Sequence, residues 1–172
     1  LLNSNAAKAT SSNLFNGVSN STFTVGSGFA SATPDFICYV WSEVAGFSKF
    51  SSYVGDGSST KKITTGFKPR FLLVKPSSST GNWNIFDSDR PANTATLTYS
   101  IQPNLNSTEY QSEPGITFLA DGFTLNSANT NGTTYIYAAF ASKPDPSSID
   151  SLSDSPAQVA NQTDSGVGNE VV

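Results

Sequence analysis

The apolar residues of this chain occur in short segments between turn-forming residues, and this spacing constrains the fold more than any other feature. The segments are rich in aromatic and β-branched residues, clusters of Gly, Asn, Ser and Pro separate them, and the 3.6-residue period of amphipathic helices is nearly absent. Strands are predicted over 22–25, 36–42, 47–54, 69–75, 82–87, 96–101, 116–119 and 133–141. The pattern therefore predicts an all-β protein, a β-sandwich of jelly-roll or lectin-like character.

Alternation and turn signals indicate how the strands are arranged. Within 133–141, Tyr135 and Tyr137 fall on one face of the predicted strand and Ile136 falls on the other. Asp121-Gly122 stands between two apolar segments, as expected of a tight hairpin turn in which glycine supplies a positive φ angle, and Asn131-Gly132 gives the same signal. With 172 residues, of which 12% are aromatic, the chain can bury a substantial core.

An internal repeat predicts the domain organisation. Phe23-Thr24-Val25 and the segment 36–42 match Phe123-Thr124-Leu125 and 135–141 at an offset of about 100 residues, and Leu2-Asn3-Ser4 matches Leu105-Asn106-Ser107. We expect residues 1–43 to be the C-terminal part of a first β repeat and residues 44–143 to be a complete repeat. The alternative is chance similarity between β segments. Residues 144–172 open with Pro144-Asp145-Pro146 and contain no aromatic residue, which predicts an extended linker or arm.

Composition argues against several classes of function. A formal net charge of −4, with nine scattered basic residues, argues against a nucleic-acid partner. The chain has no histidine and one cysteine, Cys38, so it lacks the commonest general base, an internal disulfide and a cysteine-cluster zinc site. No apolar run approaches the roughly 20 residues of a membrane helix. We therefore expect no membrane insertion, no cofactor and a protein that is not an enzyme.

The most chemically loaded stretch is 83–90. Asp87 and Asp89 are spaced so that both lie on one face of a strand or on the rim of a turn, where they could bind a hard cation or act as paired carboxylates on a glycan. The alternative interpretation is structural: Asp87 caps a turn and Arg90 pairs with a carboxylate. We favour it because the dense Asp/Asn alternation and closing Glu of a calcium loop are missing from this sequence.

Exposed aromatic residues are a second candidate feature. Many carbohydrate-binding modules stack sugars on exposed Tyr or Trp, and Tyr53, Tyr99 and Tyr110 lie outside the strongest core pattern. Together with Asp87, Asp89 and Arg90 they form the set of candidate glycan contacts. Ordinary cross-strand packing is the alternative for the three tyrosines.

Several motifs together resemble one unit of a known family. The motifs are the segment 47–58, the segment 65–75, Trp83-Asn84-Ile85-Phe86-Asp87 with Arg90, the segment 118–125, and the segment 135–141. They are similar to the repeats of roughly one hundred residues found in structural proteins of tailed phages, notably phages of marine bacteria and cyanobacteria. The tail from Ser148 onward is also similar to the linker that follows such repeats.

The resemblance implies a non-enzymatic virion structural protein, in a tail fibre or on the capsid surface. We expect a tail-fibre or appendage domain that contacts the host surface through glycan, with other virion proteins and copies of itself, in a homotrimer, as partners. One alternative is a capsid decoration protein, with residues 144–172 clasping a neighbouring subunit. The other is a polysaccharide depolymerase, in which Asp87 or Asp89 acts with Glu109 or Asp121 across a groove.

Overall fold

The computed structural model describes residues 4–8, 15–19, 21–27, 39–90, 96–125 and 129–142, and within these ranges it contains ten β-strands. They are β1 (Phe15–Val18), β2 (Phe23–Val25), β3 (Ser48–Val54), β4 (Lys61–Thr64), β5 (Phe71–Pro76), β6 (Asn84–Asp87), β7 (Thr96–Ser100), β8 (Tyr110–Leu119), β9 (Gly122–Leu125) and β10 (Thr134–Phe140). All paired strands are antiparallel. The predicted all-β class is confirmed.

Eight of these strands form two four-stranded sheets. The first sheet has the order β3-β10-β5-β6, and the second sheet has the order β4-β9-β8-β7. The chain moves between the sheets after β3, β4, β6 and β9, so both sheets are built from distant parts of the sequence. The first and last strands of this series, β3 and β10, are neighbours, and so are β4 and β9. β1 and β2 pair with each other in a separate hairpin.

The core lies between the two sheets. Along β10, Tyr135 and Tyr137 are buried whereas Ile136 is 38% exposed, which confirms the predicted alternation. The ring of Tyr137 meets the ring of Phe123, from the second sheet, edge-on with 5.4 Å between centroids. Further buried residues from both sheets complete the core: Leu72, Val74, Phe86, Leu97, Ile116 and Leu125. The predicted β-sandwich is thereby confirmed.

A backbone bridge joins the two sheets along one side of the sandwich. Ile85 of β6 and Ile101, directly after β7, exchange both backbone hydrogen bonds, at 2.9 and 3.1 Å. β6 and β7 are each one of the two edge strands of their sheets, so this bridge pairs backbone groups on two edges that would otherwise be open.

Several strand boundaries differ from the prediction. β8 begins at Tyr110, six residues before the predicted segment 116–119. β1 and β4 were not predicted. β4 was missed because Lys61-Lys62 shows no alternation of apolar residues. β4 is an edge strand of the second sheet, and lysine at an edge discourages pairing with other chains. Residues 39–42 of the predicted strand 36–42 are not in a strand. Cys38 and the predicted arm 144–172 lie outside the described residues.

Two glycines expected to form turns are needed for different reasons. Gly132 has a φ angle of 74°, as predicted for Asn131-Gly132. The same expectation is wrong for Gly122, which begins β9 and does not have a positive φ angle. A Cβ atom at Gly122 would lie 2.0 Å from the carbonyl oxygen of Ile63 in β4. Glycine at this position therefore allows β4 and β9 to approach each other.

Asp56 and Asn129 join the β3–β4 loop to the β9–β10 connection. The carboxylate of Asp56 accepts hydrogen bonds from the backbone N–H of Ser58 at 2.9 Å, the buried side chain of Asn129 at 2.8 Å and Nζ of Lys61 at 3.0 Å. In that order of importance, these bonds lower the pKa of Asp56 to about 2. The side chain of Asn129 also accepts from the backbone N–H of Asp56, so the two segments are held together from both sides.

Replacing Gly122 by alanine should destabilise the sandwich. The added Cβ would clash with the backbone of β4, and we expect a loss of about 1–3 kcal/mol in the free energy of unfolding, measured by urea denaturation. Gly17→Ala in β1 is the matched control, because a Cβ there meets no atom within 4 Å. Equal stability of the two variants would contradict the close approach of β4 and β9.

The lowered pKa of Asp56 predicts how stability depends on pH. Since the folded-state pKa of about 2 is below the ordinary value of 3.8, the stabilisation is present above about pH 4 and is lost as the pH falls towards 2. Asp56→Asn should therefore show a weaker decrease in urea midpoint across this range than the parent protein. A parental slope in Asp56→Asn would show that this carboxylate is not the titrating group.

Candidate functional site

The carboxylate of Asp87, at the end of β6, is bound by its own turn and by Arg90. One oxygen accepts the backbone N–H groups of Asp89 and Arg90, both at 3.0 Å, and the other accepts Nε of Arg90 at 2.6 Å. A second nitrogen of the same guanidinium donates to Glu109. The structural interpretation of this stretch, with Asp87 capping a turn and Arg90 pairing with a carboxylate, agrees with this geometry.

The other candidate carboxylates are in separate ion pairs. Asp89 accepts two hydrogen bonds from Arg70, at 2.7 and 2.8 Å. Asp121 is bound by Lys62 at 2.8 Å, between the β8–β9 turn and β4, whereas Asp87 is in the first sheet. Of the carboxylate combinations considered for a depolymerase, Asp87 and Glu109 are therefore brought together, with Arg90 bound to both. Within the part of the chain that the structure describes, no three His, Cys, Asp or Glu residues are grouped as metal ligands.

Tyr53 is a core residue, and the expectation that it offers an exposed ring is wrong. It is 8% exposed, and its ring stacks on Tyr135 with 5.1 Å between centroids. The cause is the register of the first sheet, which places Tyr53 of β3 directly opposite Tyr135 on the inward face of β10. Burial raises the pKa of the Tyr53 hydroxyl.

The two remaining tyrosine candidates are on neighbouring strands of the second sheet. Tyr99 in β7 is half-buried and pairs with Gln111, and the backbone of Tyr110 in β8 pairs with Ser100. The side chain of Tyr110 is outside the described residues. Tyr99 is therefore in the second sheet, whereas Asp87, at the end of β6, is in the first sheet with Asp89 and Arg90 directly after it. The strands β6 and β7 adjoin at the Ile85–Ile101 bridge.

The two most exposed aromatic rings of the described residues, Tyr39 and Trp41, lie against the outer face of the first sheet. Tyr39 and Trp41 stack with 5.9 Å between centroids and 11° between planes, and Trp41 stacks on Phe50 of β3 at 6.1 Å and 22°. Phe140 of β10 meets Trp41 edge-on at 6.4 Å and Phe50 at 5.5 Å. We call these four residues, Tyr39, Trp41, Phe50 and Phe140, the aromatic ladder.

One end of the aromatic ladder is fixed and the other is open to solvent. Phe140 is also contacted edge-on by Phe47 and Phe71, so the base of the ladder is packed against β5 and the approach to β3. Tyr39 and Trp41 remain 62% and 55% exposed. The result is a pair of exposed rings supported from behind, an arrangement that can stack on a flat apolar surface such as the face of a pyranose ring.

A charged pair borders the aromatic ladder. Glu43 accepts a hydrogen bond from Nζ of Lys49 at 2.9 Å and another from the backbone N–H of Phe50, also at 2.9 Å. The bond from Lys49 lowers the pKa of Glu43, and the same bond raises the pKa of Lys49. Both groups are therefore charged at neutral pH. Lys49 adjoins Phe50 in β3 and so lies on the opposite face of that strand, whereas the carboxylate of Glu43 reaches the backbone of Phe50.

Sequence reasoning did not identify Tyr39 and Trp41 as a site. Both were assigned to a predicted strand, and the residues that arrange them, Phe50 and Phe140, are distant in sequence. The internal repeat contained one signal, since it aligns Trp41 with Phe140, the ring that Trp41 contacts.

Comparison with known proteins gives one match. The sequence model of a family described as Domain of unknown function (DUF7483) matches residues 1–144, which include the β1–β2 hairpin and the whole sandwich. No curated protein and no solved structure matches the chain. Among the described residues, no helix has the length and apolar character needed to cross a membrane.

Proposed function

The chain belongs to the DUF7483 family, and we propose that it is a non-enzymatic structural protein of a tailed-phage virion, a domain of a tail fibre or appendage that contacts the host surface. The proposed location in a virion is based on the resemblance of the sequence motifs to repeats of phage structural proteins. The aromatic ladder is the observation that favours a contact role, because it leaves two stacked rings exposed on a rigid sheet.

We propose that the ligand is a glycan of the host surface, stacked on Tyr39 and Trp41. The apolar face of a sugar ring matches an aromatic ring in size, and the carboxylate of Glu43, which is bound to the backbone N–H of Phe50, supplies a hydrogen-bond acceptor near the ladder. Trp and Tyr are also the residues that most often dominate binding energies at protein surfaces. A single pair of exposed rings binds a sugar weakly, but a homotrimer would present three such sites. Linked sites would raise avidity by about 10²–10⁴ over a single site.

The arrangement of the carboxylates supports a binding role over a hydrolytic one. A glycosidase needs two carboxyl groups facing each other across a groove that the substrate enters. Arg90 is bound to both Asp87 and Glu109, and its guanidinium occupies the position between them. Asp89 and Asp121 are engaged by Arg70 and Lys62. The remaining roles for these residues are to fix loops at the sheet edges.

Immunogold labelling of intact phage particles, with an antibody against this chain, tests the proposed location. We expect gold on the tail fibres or the tail tip. Gold distributed over the head would instead support the capsid decoration protein, and absence of label from every particle would contradict a virion role.

Removing an exposed ring of the aromatic ladder should weaken glycan binding. We expect Trp41→Ala to weaken binding to immobilised host polysaccharide at least tenfold, which corresponds to about 1.4 kcal/mol, with a smaller loss for Tyr39→Ala. The measurement is an isotherm by surface plasmon resonance, with the thermal unfolding midpoint of each variant recorded to exclude loss of folding.

Tyr99→Ala and Asp87→Asn are the controls for this prediction. Both should bind as the parent protein does, because neither residue belongs to the aromatic ladder. Binding lost in Tyr99→Ala and kept in Trp41→Ala would move the site to the second sheet. Release of reducing sugars by the parent, abolished in Asp87→Asn, would overturn the non-enzymatic role.

A further inference from the structure

Lys75 is buried on the side of the first sheet that faces away from the core. Along β5 the preceding residue, Val74, faces the core and is 0% exposed, so Lys75 points outward. Its partner in β10 is Ile136, which is 38% exposed, whereas Lys75 itself is 5% exposed. Lysine is almost never so deeply buried unless its charge is paired, so another segment must cover this position.

The charge of Lys75 is balanced by main-chain carbonyl groups. Its Nζ donates to the carbonyl oxygen of Ala6 at 2.7 Å and to that of Pro76 at 2.9 Å, and the carbonyl oxygen of Asn5 lies at 3.4 Å. None of the ion pairs within the described part of the chain includes Lys75. Burial lowers the pKa of this amine. The covering segment is therefore residues 4–8, and it supplies carbonyl dipoles in place of a carboxylate.

Two backbone hydrogen bonds hold the ends of this segment. The N–H of Gly81 donates to the carbonyl oxygen of Asn5 at 2.9 Å, and the N–H of Lys8 donates to the carbonyl oxygen of Ser77 at 2.6 Å. Ser77 and Gly81 belong to the connection between β5 and β6. Together with Lys75, this connection binds the segment from Asn5 to Lys8.

The side chains of the segment take no part in this attachment. Residues 5–8 are exposed, and the hydrogen bonds that the structure describes between residues 4–8 and the sandwich all use main-chain atoms of the segment. The side chain of Ser4 accepts the N–H of Ala6 and so acts within the segment. The attachment therefore depends on the path of the main chain.

We propose that Lys75, Ser77 and Gly81 form a binding site for an extended polypeptide segment, that this site recognises main-chain groups alone, and that residues 4–8 fill it in this chain. Main-chain groups are the same in every residue except proline, so the site selects an extended path and accepts many sequences, as sheet edges do when a peptide adds to them. Lys75 is the residue that distinguishes this site from an ordinary sheet edge, because its ammonium group binds carbonyl oxygens from above the face of the sheet.

Lys75→Met in the full chain tests the role of the ammonium group, since methionine is of similar length and has no charge. We expect the amides of Gly81 and Lys8 to exchange hydrogen at least tenfold faster, measured by NMR, because the segment is released. The amide of Ile85, which is bound to the carbonyl of Ile101, reports on the sandwich and should exchange at the parental rate. Unchanged exchange at Gly81 in Lys75→Met would overturn the proposal.

Lys62→Met is the control for the loss of a positive charge. Lys62 is in an exposed ion pair with Asp121 in the second sheet, so its replacement should leave the exchange of Gly81 at the parental rate. Equal acceleration at Gly81 in Lys62→Met and Lys75→Met would assign the effect to net charge and would overturn the role of Lys75.

A pair of substitutions at Lys8 tests recognition of the main chain. Lys8→Pro removes the N–H that binds Ser77, whereas Lys8→Ala keeps it, and this exposed position lies outside the sandwich. We expect the amide of Gly81 to exchange about fivefold faster in Lys8→Pro, the effect of about one net hydrogen bond, and at the parental rate in Lys8→Ala. Equal rates at Gly81 in the two variants would overturn main-chain recognition.

A variant that changes only side chains completes the test. The triple variant Asn5→Ser, Ala6→Thr and Ala7→Gln keeps every main-chain group of the segment and should keep the parental exchange rate at Gly81. Exchange accelerated in this variant as strongly as in Lys75→Met would show that the site reads side chains, and would overturn the proposal.

Discussion

The structure depends on β10, which packs against the second sheet through its inner face and supports the aromatic ladder through its outer face. Its inner residues pack against the second sheet through the contact between Tyr137 and Phe123. Its backbone pairs with β3 on one side and β5 on the other, so neither neighbour can shift without breaking a ladder of hydrogen bonds. Its outer residue Phe140 supports Trp41. A core contact on one side of a strand thereby fixes a surface site on the other.

Charged residues position loops in this protein more than they stabilise it. The ion pairs of Asp89 with Arg70 and Asp121 with Lys62 are well exposed, and such pairs contribute roughly 0–1 kcal/mol each. With 13% charged residues, the surface has little else with which to attract a charged ligand over a distance. Stacking on exposed rings is not screened by salt, so recognition through the aromatic ladder would be insensitive to ionic strength.

The sequence predicted features that depend on local periodicity, such as which residues of a strand face the core. It did not predict features that depend on which strands pair with each other. The alternation in β10 was predicted correctly because Tyr135 and Tyr137 stand on either side of Ile136. β4 was missed because an edge strand with Lys61-Lys62 needs no apolar face. Tyr53 was a candidate for exposure because it lay outside the strongest core pattern, and its burial follows from the residue opposite it, Tyr135. The aromatic ladder joins residues 39–41 to Phe140, a contact that no local pattern encodes.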